Sequence, residues 1–180
     1  MQLEPGVITG EALTQLYDYC QQAQCALPAV NVIGSHSTNA ALAAAREVGC
    51  PIIVQVSNSG AHFFGGKFLD NSTQAGSIAG AVAAAHYVRC MAESYGVAVV
   101  LHSDHAARKL IPWVDGMIEH GERYFEAHGE PLFSSHMLDL SEETLEDNLA
   151  ISASTLQRLS RIGMSLEIEL GVTGGEEDGV

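Results

Sequence analysis

Apolar positions along the chain fall into five short, nearly continuous runs, and between them the apolar residues recur at helical spacing. The runs are residues 26–33 (ALPAVNVI), 51–56 (PIIVQV), 97–101 (VAVVL), 132–140 (LFSSHMLDL) and 164–170 (MSLEIEL). A strand covered on both faces reads as an apolar run rather than an alternation, so these five segments predict strands of a parallel sheet. The first is preceded by a helical pattern over residues 7–25, which opens on Thr9-Gly10-Glu11 and spaces Leu13, Leu16, Tyr17 and Cys20 on one stripe. A second, alanine-rich helix is predicted over 39–48, capped by Ser37 or Thr38 and closed by Gly49. A long helix of small residues follows over 74–95. Pro112 then starts a helix whose stripe is Trp113, Met117, Ile118, Tyr124 and Phe125, and Ser141-Glu142-Glu143 starts the last, which Gly163 ends. Residues 61–73 carry aromatics without periodicity and predict a structured loop.

Strict alternation of strand and helix indicates a parallel α/β fold. Five strands cannot close an eight-stranded barrel. The chain is therefore either an open sheet or the front part of a longer barrel.

Composition narrows the function classes. The sequence has 180 residues, 47% hydrophobic and 17% charged, in the range of a folded domain with a substantial core. Its formal net charge is -14, with 7 acids against 5 bases up to residue 114 and 15 against 3 beyond it. Nucleic acid is a poor partner for such a surface, because Arg108-Lys109 is the only adjacent basic pair. No apolar run approaches the ~18 residues of a membrane helix and no signal peptide opens the chain, so a cytoplasmic protein is expected. Four cysteines without CxxC spacing are expected to be reduced thiols, with Cys90 a buried small hydrophobe in mid-helix. His86, in the same helix, is expected in the core or behind a site.

Candidate chemistry lies at the carboxyl ends of the strands, where α/β folds place ligands and catalytic groups. The third run leads into His102, Ser103, Asp104 and His105. The fourth ends in Asp139, and the fifth puts Glu167 and Glu169 on one face by period-2 alternation. Two readings remain open for these acids. They are ordinary half-exposed carboxylates beside a hydrogen-bonded histidine, or they converge on a mixed nitrogen and oxygen site for Zn²⁺ or a similar divalent ion. The final GVTGGEEDGV is likewise a solvated loop, or a set of backbone amides and a hinge for a mobile lid.

The segments LHSDHAARKLIPW, FSSHMLDLSEE and LEIELGVTGGEEDGV, with ALPAVNV and VSNSGAHFFGGK before them, resemble the class II, metal-dependent fructose-bisphosphate aldolases over essentially the whole chain. The resemblance implies a (β/α)8 TIM barrel of which these residues supply about the first five β/α units, the N-terminal half. It implies a phosphorylated sugar substrate, catalytic Zn²⁺ with a possible second divalent metal, and a homodimer at full length. His105 matches a ligand of the catalytic zinc, while Asp139 and Glu169 match ligands of the second position. Asp104 matches the acid/base at the cleaved carbon-carbon bond, and Glu177 the mobile carboxylate that moves the proton of the dihydroxyacetone phosphate carbon. Ser57 and Asn31 match substrate contacts, and His102 and Glu167 stand behind the site. No lysine lies in a strand to form a Schiff base, in keeping with a metal-dependent route. Two further zinc-binding histidines and the main phosphate loops of the family have no counterpart here, so the 180 residues alone are expected to be inactive and aggregation-prone. The competing readings are an aldolase for another ketose bisphosphate, such as tagatose 1,6-bisphosphate, and a non-catalytic barrel fragment.

Overall fold

The apolar runs form strands that pair edge to edge in parallel, and the periodic segments between them form helices. The computed structural model describes residues 3–172. Its elements are β1 (Gly6–Val7), α1 (Gly10–Ala23), β2 (Ala29–Asn31), α2 (Ser35–Val48), β3 (Ile52–Val56), α3 (Asn58–Gly65), α4 (Ala75–Tyr95), β4 (Ala98–Ser103), α5 (Ile111–His128), β5 (Ser135–Asp139), α6 (Leu145–Ser160) and β6 (Ser165–Glu169). Among these residues one parallel sheet runs in the order β2-β3-β4-β5-β6, with β1 paired to β4. Along that path every strand lies beside its successor in sequence. A doubly wound sheet reverses at a switch point and a barrel does not, so the winding is that of a (β/α)8 barrel of which part is present.

Alternation along β4 separates two cores. Val99 and Leu101 face outward with Val54 and Leu138, packing on Leu42 of α2, Ala84 and Val88 of α4, Trp113 and Met117 of α5 and Leu159 of α6. Ala98 and Val100 face inward and pack on Ile8, Leu13 and Leu16. Helix α1 thus covers the inner face at the amino ends of the strands. The carboxyl ends of that face are left for His102 and Asp104. None of the described helices is long and apolar enough to cross a membrane.

Several expectations are corrected. The two-residue β1, absent from the sequence reading, uses the lower edge of β4, with Gly6 and Ile8 amides donating to Val97 and Val99. Ser134 marks the handover to β5. Its amide donates to the Leu101 carbonyl, its hydroxyl accepts from the Leu101 amide at 2.9 Å, and the same hydroxyl donates to the Ile8 carbonyl at 2.6 Å. The aromatic stretch expected as a loop begins with helix α3, capped by Ser57 Oγ accepting from the Gly60 amide at 3.2 Å. It crosses α4 so closely that a Cβ on Gly80 would fall 1.8 Å from the Ala61 carbonyl oxygen, which is why α4 carries glycine there. Helix α2 starts at Ser35, and Ser37 and Thr38 sit inside its first turn, donating back to the Gly34 carbonyl. His86 and Cys90 are exposed, because the buried stripe of α4 runs through Ala81, Ala84, Ala85, Val88 and Ala92.

His136 is fully buried on the outer face of β5, with Nδ1 2.8 Å from Ser103 Oγ. Burial, with a lesser contribution from His102, pushes its pKa down to about 3. Below pH ~6.5 the unfolded chain protonates this imidazole while the folded chain does not, so stability is lost as the pH falls toward the folded value. Urea titrations between about pH 6.5 and 4.5 are expected to show stability falling with pH. In His136→Gln the slope should be shallower by about 1.4 kcal/mol per pH unit, one proton's worth. Equal slopes would contradict a buried neutral His136.

Candidate metal centre

Parallel pairing brings the ends of three strands level. Asp139 closes β5 opposite Glu169 of β6, and the Asp139 amide donates to Ala106 at 3.0 Å, which draws the segment after β4 alongside. His105 Nδ1 then lies 3.1 Å from Asp139 Oδ2 and 3.7 Å from Glu169 Oε2. One ligand atom from each of the three falls within 4.8 Å of the others. The carboxylates are mostly covered, at 19% and 14% side-chain exposure, whereas the imidazole is 41% exposed, so the cluster opens on its histidine side.

The surroundings of Asp139 favour its charged form. Burial by itself pushes the Asp139 carboxyl up. The Ser141 hydroxyl, donating at 2.6 Å, together with His105 and the Ser141 amide, outweighs burial and holds it below the usual carboxylate range. Glu169 is placed through its backbone. The buried Asn148 of α6 donates from Nδ2 to the Leu140 carbonyl at 3.0 Å and to the Glu169 carbonyl at 2.7 Å, and its Oδ1 accepts from Ser152. A single amide therefore ties the end of β6 to the end of β5.

Asp104 occupies the neighbouring position, its amide bonded to Val56 of β3. Asn31 Nδ2 donates to Asp104 Oδ2 at 2.6 Å, and Gln55 Nε2 donates to Asn31 Oδ1 at 2.7 Å. Strands β2 and β3 thereby aim a carboxylate carried by the end of β4. Below it His102 pairs Nδ1 with Ser135 Oγ at 2.7 Å and Nε2 with Glu167 at 3.3 Å. Burial lowers the His102 pKa, opposed by the charges of Glu167 and Asp104. Tyr17 of α1 reaches the same inner cleft of ≈ 270 Å³, where burial and then Glu167 raise its phenol pKa.

Of the sequence-derived candidates, His105, Asp139 and Glu169 meet in one cluster, and Asp104 and Asn31 meet in a hydrogen bond beside it. Ser57 stands at the carboxyl end of β3, with its hydroxyl engaged as the α3 cap. Glu177 lies outside the described residues. Sequence reasoning missed Gln55, Ser141 and Asn148. Gln55 carried a usable signal, as the single polar residue in PIIVQV, in register with His102 across β3 and β4.

One nitrogen and two carboxylate oxygens fit Zn²⁺ or another divalent ion of intermediate hardness. Metal ligation would satisfy the charge that two neighbouring carboxylates concentrate there. Asp104 adds a carboxylate with one oxygen already held by an amide, an arrangement suited to proton transfer at a ligand bound beside the ion.

The chain is similar to known proteins along almost its whole length. The family described as fructose-bisphosphate aldolase class-II matches residues 11–180. The fructose-bisphosphate aldolase of Edwardsiella ictaluri is 55% identical over 178 residues, covering 99% of this chain and 50% of that protein. That of Saccharomyces cerevisiae is 55% identical over 175 residues, covering 97% and 49%. The crystal structure of fructose-bisphosphate aldolase from Campylobacter jejuni superposes with a TM-score of 0.90 at 52% identity, over 97% of this chain and 49% of that one. The chain spans about half the length of the curated relatives it matches.

The tie made by Asn148 is open to test. Asn148→Ala is expected to lower the affinity of the chain for Zn²⁺ or Co²⁺ by ~10–100-fold, the scale for losing a group that orients metal ligands. Isothermal titration checks this, with circular dichroism confirming that the fold persists. Unchanged affinity in a folded variant would detach Asn148 from the centre.

Proposed function

The chain belongs to the class II fructose-bisphosphate aldolase family, and from that premise we propose that residues 1–180 form the N-terminal part of a single (β/α)8 barrel domain. The complete barrel cleaves fructose 1,6-bisphosphate into dihydroxyacetone phosphate and glyceraldehyde 3-phosphate, and runs the reverse condensation, with zinc as its metal. The observation that carries this reading is the convergence of His105, Asp139 and Glu169 beside Asp104. In this reading His105 holds the catalytic zinc together with ligands from the rest of the barrel, and Asp139 and Glu169 serve a second divalent position next to it. The metal supplies Lewis-acid stabilisation of the negative charge left on the ketone fragment, worth several kcal/mol.

The chain's own residues supply proton transfer and orientation. Asp104 takes the proton of the substrate hydroxyl at the bond that breaks, and returns it in the condensation direction. Asn31 and Gln55 hold the Asp104 carboxylate toward that hydroxyl, so misalignment costs rate without removing the base. Asn31 and Ser57 contact the substrate. Glu177 moves the proton of the dihydroxyacetone phosphate carbon, which divides the two proton transfers between groups on separate loops.

The isolated 180 residues are proposed to be inactive and prone to aggregate. Among the described residues β2 and β6 each have one strand neighbour, and Ile168 and Leu170 near the β6 edge are exposed. The full-length enzyme is proposed to be a cytoplasmic homodimer. Purified as given, the chain is expected to show no zinc-dependent cleavage of fructose 1,6-bisphosphate in a coupled assay. Measurable turnover would contradict the need for the remaining ligands. In a chain extended to the length of its relatives, Asp104→Ala is expected to keep its metal content and lose at least ~10²-fold in turnover. Turnover near that of the unaltered protein would remove Asp104 from the acid/base role.

A further inference from the structure

Three of the four cysteines gather at the opposite end of the sheet, where α1 and α2 hand over to β2 and β3. Both helices end in the same local device. Gln24 and Gly49 adopt left-handed backbone at φ 52° and 65°, and the next residue donates its amide back to the carbonyl five positions earlier, Cys25 to Cys20 at 3.0 Å and Cys50 to Ala45 at 3.1 Å. This Schellman geometry brings the side chain after the turn against the one at the start of the last helical turn, normally as an apolar contact. In α1 both positions of that contact are cysteine. Cys20 packs against the inner core on the stripe of Leu13 and Leu16, Cys25 is exposed, and Cys50 is half-buried in the same cleft of ≈ 350 Å³.

We propose that Cys20 and Cys25 form a peroxide-sensitive dithiol site, with Cys25 the attacked thiol and Cys20 the resolving thiol. The site is independent of the proposed aldolase activity, since no residue of the metal cluster takes part. The 3.0 Å backbone bond limits the separation of the two Cα atoms to about 7 Å, at the edge of the range of about 4.4–6.8 Å that a disulfide accepts. Both side chains line the same cleft. Burial, followed by the Cys25 contact and then Cys50, pushes the Cys20 thiol up, which leaves Cys20 protonated and the exposed Cys25 as the first site of attack.

The oxidant is a hydroperoxide. Cys25 sulfur bonds to its terminal oxygen as the O–O bond breaks, giving the Cys25 sulfenic acid and an alcohol, or water from hydrogen peroxide. Cys20 sulfur then attacks Cys25 sulfur, the S–O bond breaks, and the departing hydroxide leaves as water with the Cys20 proton. Two thiols lose two electrons and two protons, and the hydroperoxide gains them. Cys90, exposed on the outer face of α4, gives a comparison thiol outside the cleft.

Tryptic mapping separates the possible products, since cleavage at Arg46, Lys67 and Arg89 places Cys20 and Cys25 on peptide 1–46, Cys50 on 47–67 and Cys90 on a third. After the native chain is treated with hydrogen peroxide and alkylated without reduction, peptide 1–46 is expected about 2 Da lighter at its cysteines, unalkylated and without oxygen added to either cysteine, Met1 sulfoxide being counted separately. Cys50 should remain alkylatable, and Cys90 should either alkylate or gain oxygen. Cys50→Ser should leave this result unchanged and Cys25→Ser should abolish it, with circular dichroism verifying the fold of each. The proposal is overturned if peptide 1–46 keeps two alkylatable thiols while Cys90 is oxidised, if it is oxygenated instead of cyclised, or if it crosslinks to 47–67.

Discussion

Parallel register is the constraint on which the rest depends. With β4, β5 and β6 side by side and running the same way, the residues that end them arrive at one level, and alternation decides which of them face inward. Asp139 and Glu169 are direct partners in the pairing, and the bond from the Asp139 amide to Ala106 carries the segment after β4 to the same level. A slip of one residue in β6 would turn Glu167 and Glu169 away and put Leu166 and Ile168 in their place. Asn148 opposes such a slip by holding the Glu169 and Leu140 carbonyls together.

The two ends of the strands have different tasks. At the amino ends, α1 lies across the inner face and the Schellman turns of α1, α2, α4 and α6 feed β2, β3, β4 and β6 with closely matched backbone geometry. At the carboxyl ends the loops are polar, and Ser57, Asp104, His105 and Ser141 are held by bonds to neighbouring strands or turns. Division of this kind lets the carboxyl ends carry charge that a packed core would reject. It also puts the cysteine cleft at the opposite ends of the strands from the metal cluster.

Much of this was legible in the sequence. Continuous apolar runs gave away β3 and β4, and glycine after the helical stripe marked the ends of α2 and α6. What stayed hidden depended on partners distant along the chain. Residues 6 and 7 are a strand because β4 has an unpaired lower edge, and residues 58–65 are a helix because α4 presents glycine to it. Asp104 and His105 stood out as titratable groups at the tip of an apolar strand. Asn148 did not, since an asparagine in the first turns of a helix reads as solvated, and only the fold shows it buried between two strand ends.

Metal binding by His105, Asp139 and Glu169 is the central claim, and anomalous diffraction tests it most directly. Crystals of the chain grown with Co²⁺ or Zn²⁺, measured at the metal absorption edge, should show a peak about 2.0–2.3 Å from a His105 ring nitrogen, from a carboxylate oxygen of Asp139 or Glu169, or from both. A peak elsewhere, or none at saturating metal with these three side chains ordered, would contradict the claim that the strand ends of β4, β5 and β6 build a metal centre.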